Sequence, residues 1–538
     1  MDTQLTAPAL KSPAGNNLLA QNHPGIALTS SHASASMTQP IPRASGVLLH
    51  LSSLPGPHGS GDLGPDARHF IDWLQAAGQG WWQFLPLNGV GLGHSPYMSP
   101  SAFAGNVLLI DLAELQQRGW LPPEALAQPP AGDGRWVDYE AVTPWRMAAL
   151  AQAHAGFLAR GTAAEQAELA GFCTQHAPWL GHYTLFMALS ERLPGRDWMD
   201  WPLPLARREG AALAQARAEL APRIAFWAFC QWIFFRQWQA LRDYAHLRGV
   251  KLLGDVPIFI AQHSAEVWAR PDLFELRPDG RPEVVAGVPP DGFSAEGQRW
   301  GNPLYRWSAH AAEGYAWWTA RMRLTLSLVD QVRIDHFRGF ESYWEIPASE
   351  PTALHGRWVP GPGAALFEAM VAALSPLPVI AEDLGVITPE VTALRRQLGL
   401  PGMRVLQFAW GEEQQEAHHQ PHRFEPDTVA YPGTHDNDTS LGWWASAPEP
   451  IRRHVRDYLA CDGSDVGWSF IRAAWASVAG LAISPLQDVL RLDGHHRMNQ
   501  PGTPQGNWAW RFRWSDVQPE HATLLRRLTQ LYERLPPT

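Results

Sequence analysis

Eight short apolar runs, several with β-branched or aromatic residues, constrain this chain most. They are Gly46–His50, Trp82–Pro86, Lys251–Asp255, Gln331–Asp335, Pro378–Glu382, Met403–Phe408, Thr428–Tyr431 and Leu481–Pro485. Helical patterns separate them, as in Ala221–Arg248 before the third run and Ala311–Leu328 before the fourth. Apolar strands alternating with helices are buried on both faces and form a parallel sheet, and eight such units predict closure. The expected fold is α/β: a (β/α)8 TIM barrel with large insertions between barrel strands forming subdomains around the rim. The spacing is uneven. About 165 residues part the second and third runs, far more than one crossover helix needs. An insertion over about 107–220, with helical stretches at Met147–Arg160, Ala163–Phe172 and Ala206–Leu220, predicts a helical subdomain. A second, about 257–306, is rich in Pro, Gly and Asp and predicts a lid or binding loop. Residues 1–42, rich in Ser, Ala, Thr, Gln and Pro, predict a disordered extension, leaving 43–538 as the catalytic barrel.

Charge narrows the partners. Lys plus Arg number 42 against 52 Asp plus Glu, a net charge of −10, which disfavours nucleic acid and anionic membrane. No apolar run has the length to span a bilayer, and no basic segment leads into an apolar one at the N-terminus. Cys173, Cys230 and Cys461 are far apart and odd in number, which suits free thiols in the cytoplasm. The 27 tryptophans fit both core packing and stacking on sugar rings.

Barrel enzymes carry their chemistry at the C-terminal ends of the strands, and polar residues collect there. Asp255 ends the third run; Arg333 and Asp335 end the fourth; Glu382 ends the fifth. His435 and Asp436 follow the seventh, and Gln487 and Asp488 the eighth. One such carboxylate is an ordinary cap, whereas several on one rim are costly unless they work. Arg333 and Asp335, two apart on a strand, point the same way into the barrel, so the guanidinium keeps the carboxylate ionised as a nucleophile requires. Glu382, drier and near that anion, has the raised affinity for a proton that suits a general acid. Carboxyls on adjacent strand ends at about 5 Å have retaining-glycosidase geometry. The same cluster with His435 is also compatible with a divalent metal.

On these residues the chain resembles the amylomaltases and plant disproportionating enzymes, the 4-α-glucanotransferases of glycoside hydrolase family 77. The resemblance runs from about Arg43 to Trp514. It rests on Ser-Pro-Tyr-Met-Ser-Pro-Ser-Ala-Phe-Ala-Gly-Asn (95–106), Gly-Val-Pro-Pro-Asp (287–291) and Gly-Gln-Arg-Trp-Gly-Asn-Pro-Leu-Tyr (297–305). It rests equally on Arg-Ile-Asp-His-Phe-Arg-Gly (333–339), Ala-Glu-Asp-Leu-Gly (381–385), Gly-Thr-His-Asp-Asn-Asp-Thr (433–439) and Arg-Met-Asn-Gln-Pro-Gly-Thr (497–503). It implies Asp335 as nucleophile, Glu382 as general acid/base and Asp436 as the carboxylate gripping the 2- and 3-hydroxyls. Arg333 and His435 would be their partners, with Tyr97 under the donor sugar and Asp255 near the −1 or −2 subsite. Phe293 and Trp300 would lie on an acceptor-side loop, and Asn499 and Gly502 would line the cleft. Maltooligosaccharides and α-1,4-glucans are the implied donor and acceptor, with no cofactor, no metal, no nucleic acid or membrane partner, and a monomer or weak homo-oligomer. The alternatives are an amylase-type hydrolase and an inactive glucan-binding protein.

His94, Met98 and Gly292 depart from the family pattern, where Asp, Gln and, in some members, Tyr are expected. His50, His58 and His336 are read as hydrogen-bonded strand or loop residues, and Trp508–Trp514 as an extended segment packing the C-terminus on the barrel.

Overall fold

The computed structural model describes residues 41–290, 294–411, 417–503 and 505–537. The expectation for 1–42 therefore falls almost wholly outside the described residues; Ile41 packs against the apolar cluster inside the barrel.

Along the chain, β1 (Ala44–Leu48), β2 (Trp81–Gln83) and β3 (Lys251–Pro257) open the barrel. Next, β4 (Val284–Val288) and β5 (Gln298–Pro303) leave it. The barrel resumes with β6 (Gln331–Asp335), and β7 (Ser342–Pro347) and β8 (Arg357–Pro360) again stand outside. It ends with β9 (Val379–Ala381), β10 (Gly402–Val405), β11 (Thr428–Tyr431) and β12 (Leu481–Pro485). The eight barrel strands lie in the order β10-β11-β12-β1-β2-β3-β6-β9, and every pairing is parallel. The β9–β10 seam has no regular ladder. It closes through Ala381 N–H to Pro401 O (2.9 Å) and Met403 N–H to an Asp383 carboxylate oxygen (2.7 Å). The expected eightfold parallel barrel is the observed one, with run boundaries shifted by a few residues.

The inside of the barrel is graded along its axis. Leu48, Trp81, Leu253, Ile380, Met403, Val429, Leu481 and Ile483 form an apolar plug. Gly46 makes room for it, since a Cβ there would lie 2.6 Å from the Trp81 Cβ. Above the plug the inward positions turn polar: the Tyr431 hydroxyl donates to Gln83 Oε1 at 2.9 Å, and Asp255 meets Arg333. Such a step from dry packing to buried polar groups is tolerated because the charges pair with one another.

The 27-residue helix Ala221–Leu247 shows why the outer layer holds. Phe226, Cys230, Phe234, Trp238, Leu241 and Ala245 recur at helical spacing and are buried. Burying a Phe or Leu side chain contributes roughly 1.5–3 kcal/mol. A Cβ on Gly105 would lie 2.1 Å from the Phe234 ring, so Gly105→Ala would force that ring, and the helix behind it, to shift. The helix stops at Arg248–Gly249, with Gly249 at φ 70°, as a left-handed glycine dictates.

Two features differ from the sequence expectation. Ala311–Leu328 is not one helix. Gly314 (φ 62°) and Tyr315 (φ 57°) take left-handed backbone and separate Trp307–Ala312 from Ala316–Leu328. The rim feature over 257–306 is also not a loop alone: β4 and β5 join β7 and β8 in an antiparallel sheet of order β5-β4-β7-β8. Half of that sheet comes from 342–360, where two short strands bounded by prolines carry no strong alternation. Between β2 and β3 lie the helices Tyr139–Arg160, Ala163–Gln175, Ala177–Arg192 and Gly210–Glu219. Among the described residues no helix is long and apolar enough to cross a membrane.

Candidate active site

Arg333 organises the rim. One guanidinium nitrogen donates to both Asp255 oxygens at 2.9 and 2.8 Å, and the other to Asp335 Oδ1 at 2.8 Å. The β3–β6 register, which sets Asp255 beside Arg333, makes the first contact; the two-residue strand period makes the second. The Arg333 and Asp255 side chains are 3% and 0% exposed, whereas Asp335 is 28% exposed. A carboxylate held from behind and open in front is placed to attack.

Glu382 follows β9, next to β6 in the barrel. Its carboxylate accepts the backbone N–H of His336 at 2.7 Å and that of Leu384 at 2.8 Å. His336 presents its N–H this way because its backbone is left-handed (φ 52°), a strained state for a non-glycine residue. The reading of His336 as a hydrogen-bonded loop residue thus applies to its backbone, while its buried Nε2 has no protein partner. Burial pushes the Glu382 carboxyl up to about 7; Arg333 pulls against the rise and Asp335 adds to it.

The third carboxylate is held from loops. Asp436 lies 3.2 Å from His435 Nε2 and accepts the Asn499 amide N–H at 2.6 Å. Burial by itself would raise its pKa, but His435, Asn499 and Arg333 hold it well below the usual carboxylate range. His435 moves the opposite way: burial lowers it, and the Asp436 charge more than offsets that. The Tyr97 hydroxyl donates to Asp255 at 2.8 Å and lies 2.9 Å from His435 Nε2, joining the two halves of the site. Its phenol is buried beside the Asp255 charge and stays neutral. Tyr97 is aimed by the Pro96–Met98 turn, which Ser95 caps.

Other expected residues fall out as follows. Trp300, on β5, stands edge-on to His336 at 4.9 Å, facing the cleft from the rim sheet. Gly502 (φ 82°) lies exposed at a loop tip with nothing within 4 Å of where a Cβ would be. Phe293 and Gly292 lie outside the described residues. Asp488 turns away from the rim: it caps Ser440 through its N–H (2.7 Å) and hydroxyl (2.8 Å). His94 stacks on Tyr139 at 4.4 Å, and Met98 Sδ lies 3.5 Å from Asn302 Nδ2. Among the described residues no group of three His, Cys, Asp or Glu side chains is placed to hold a metal ion.

Three contributors escaped the sequence reading. Trp508 has left-handed backbone (φ 61°), and its ring lies 5.6 Å from Tyr97 and 6.0 Å from His435. The tryptophan run therefore divides: Trp510 and Phe512 are buried packing, and Trp508 borders the site. Arg497 donates to the Asp436 and Asn499 carbonyls at 3.0 and 2.9 Å. Asp383, buried with Arg395 and Arg404, fixes the seam beside Glu382. Its place directly after Glu382 in a run of two acids was the available signal.

Comparison with known proteins identifies the family. The family profile described as 4-alpha-glucanotransferase matches residues 49–517. The chain is 50% identical over 503 residues to the 4-alpha-glucanotransferase of Thermus thermophilus, covering 92% of this chain and all of that one. It is 45% identical to that of Synechocystis, covering 91% and 98%. The solved amylomaltase from Streptococcus agalactiae, in complex with acarbose, superposes with a TM-score of 0.89 at 36% identity, covering 91% and 99%. The chain belongs to the 4-alpha-glucanotransferase family, glycoside hydrolase family 77, whose members include the amylomaltases.

Proposed function

We propose that the protein transfers α-1,4-glucan segments from a maltooligosaccharide or starch-type donor to the 4-hydroxyl of an acceptor glucan or glucose. The reaction is a retaining double displacement. Glu382 protonates the departing glycosidic oxygen while Asp335 attacks the anomeric carbon and forms a glycosyl ester. Asp436, ionised and presented by His435 and Asn499, binds ring hydroxyls and tightens its grip as the oxocarbenium-like state develops. Glu382, now a base, takes the proton from the acceptor 4-hydroxyl, which displaces Asp335.

One observation carries this reading: the Arg333 guanidinium donates to Asp335 at 2.8 Å, while burial on the adjoining strand pushes the Glu382 carboxyl up to about 7. Carboxyls in such different surroundings, one ion-paired and partly open, the other buried, divide into a nucleophile and an acid. Transfer outcompetes hydrolysis because an acceptor held at Trp300, under a lid running from about Gly287 to Arg299 that includes Phe293, raises its effective concentration and excludes water. The separated free cysteines support a cytoplasmic setting, and we infer a monomer or weak homo-oligomer.

Incubation with maltotriose tests the proposal. Transfer yields a ladder of longer and shorter oligosaccharides with little free-glucose excess, and Asp335→Asn abolishes it. Glucose release well above chain disproportionation indicates a hydrolase and overturns it.

A further inference from the structure

Trp358, on β8, is 38% exposed yet firmly fixed. The Arg338 guanidinium lies 3.7 Å from the centre of its ring, and Trp344 meets it edge-on at 5.2 Å and 68°. Both supports are themselves tied down. Arg338 donates to the Val386 carbonyl and, at 3.2 Å, to Ser342 Oγ. The Trp344 indole N–H donates to Ala353 O at 2.9 Å. Arg338 covers one face of the Trp358 ring, and more than a third of the residue stays open to solvent. An indole face held open in advance loses little side-chain freedom on binding, and it suits the C–H face of a sugar ring.

The surroundings point to a neutral ligand. Val386, whose carbonyl Arg338 binds, and Leu354, next to the Ala353 that Trp344 binds, are 44% and 49% exposed. The flanking Arg357 is paired with Glu345 at 2.6 Å, and strand alternation puts that pair on the opposite face of the sheet from Trp344 and Trp358. The cleft-side face of the same sheet carries Tyr343 and Trp300, which both meet Phe259. Its outer face carries Trp358.

The patch is continuous with the site on one side. Val386 belongs to the loop that leaves Glu382, whose Leu384 N–H holds the Glu382 carboxylate. Arg338 is three residues beyond Asp335. Glu382 delivers its proton to the departing oxygen, so the reducing-end arm of a donor leaves past this loop. We propose that the open face of Trp358 is a distal platform for the reducing-end arm of an α-1,4-glucan, engaged by long chains and beyond the reach of maltotriose. This rests on the reading of Glu382 as the acid given above.

The test compares the full chain with Trp358→Ala and Trp358→Phe by steady-state kinetics on maltotriose and on amylose. Retardation in amylose-containing native gels and sedimentation complete it. For Trp358→Ala the KM for amylose rises about tenfold and gel retardation weakens, while the rate on maltotriose moves less than twofold; Trp358→Phe recovers most of the loss. An unchanged KM for amylose overturns the platform. So does an equal loss on both substrates, which marks a structural role. So does a change confined to self-association, which assigns the face to a second copy of the chain. If the wild type fails to disproportionate maltotriose, the proposed function falls, while gel retardation still reports on the platform.

Discussion

The two halves of the site are built on different principles. Asp255, Arg333, Asp335 and Glu382 stand on or directly after neighbouring barrel strands, and the backbone register sets their geometry. His435, Asp436 and Asn499 are brought together by two loops, one following β11 and one spanning about 497–508. That half is braced by side-chain bonds from Arg497 and Asn499. The strand half is dry and closed behind, whereas the Asp436 side chain is 44% exposed. In the strand half the groups that the proposed mechanism uses are also structural, so chemistry and stability cannot be separated. In the loop half they can.

Arg333→Met tests that contrast with the largest effect. It strands two carboxylates, one of them fully buried, and removing one partner of a buried ion pair costs about 3–5 kcal/mol. Urea denaturation should show that loss, and transfer on maltotriose should fall by at least about 10⁴-fold. Near-native stability in this variant would mean that the strand half is not the framework described.

Glu382 sharpens the comparison through pH. Only its protonated form can start the reaction, so kcat/KM should fall as pH rises through about 7. The same group links to stability. Its folded pKa lies above the ordinary 4.5, so its contribution is fully present below 4.5 and is lost as pH rises through 7. Glu382→Gln should remove that pH-dependent loss of stability between 4.5 and 7, visible in Tm against pH, while abolishing transfer. A kcat/KM profile flat from pH 6 to 8 in the wild type would contradict the assignment.

Asn499→Ala acts on the loop half alone. Asp436 loses its 2.6 Å donor, so its pKa rises toward the ordinary range and the acidic limb of the rate profile moves up. The expected loss in kcat/KM is about 10–100-fold, the cost of one misaligned first-contact group, with Tm changed by no more than about 2 °C. Arg497→Lys, which keeps the charge but not the fork that reaches two carbonyls, should follow at a smaller loss. A fall in Tm comparable to that of Arg333→Met would erase the distinction between the halves.

The same distinction explains what the sequence disclosed. The barrel and its strand-end polar residues were legible because a period of two fixes side-chain direction: Arg333 must face the way Asp335 does. Loops carry no such rule. Asp488 stands at a strand end like the others, but its carboxylate turns to cap Ser440, and nothing in its local sequence separates a cap from a rim acid. Trp508 shares a run with Trp510 and Phe512, and only its left-handed backbone sets it against Tyr97. The β7–β8 half of the rim sheet was hidden because β7 pairs with β4, about 60 residues earlier, a register that local pattern cannot state. His336 was recognisable as a loop residue, but its strained turn toward Glu382 was not.

Gly502 gives the smallest effect and the closest test of how loosely the loop half is held. The family resemblance sets it in the cleft wall, yet it lies exposed at the loop tip with no atom within 4 Å of a Cβ position. Gly502→Ala therefore meets no clash. Its only penalty is the left-handed backbone at φ 82°, about 1 kcal/mol for an L-residue. That strain is borne in a segment whose base is pinned by Trp508 N–H to Met498 O at 2.7 Å and by Gln500 N–H to Asn507 Oδ1 at 2.8 Å. Because the Gln500–Asn507 pin lies between the tip and Asn499, the strain should relax outward into solvent. The expected result is a rate on maltotriose within about twofold of wild type and a Tm lower by at most about 2 °C. A larger drop in kcat with unchanged KM would show that tip and Asp436 move together, and the loop half would then be one stiff unit after all.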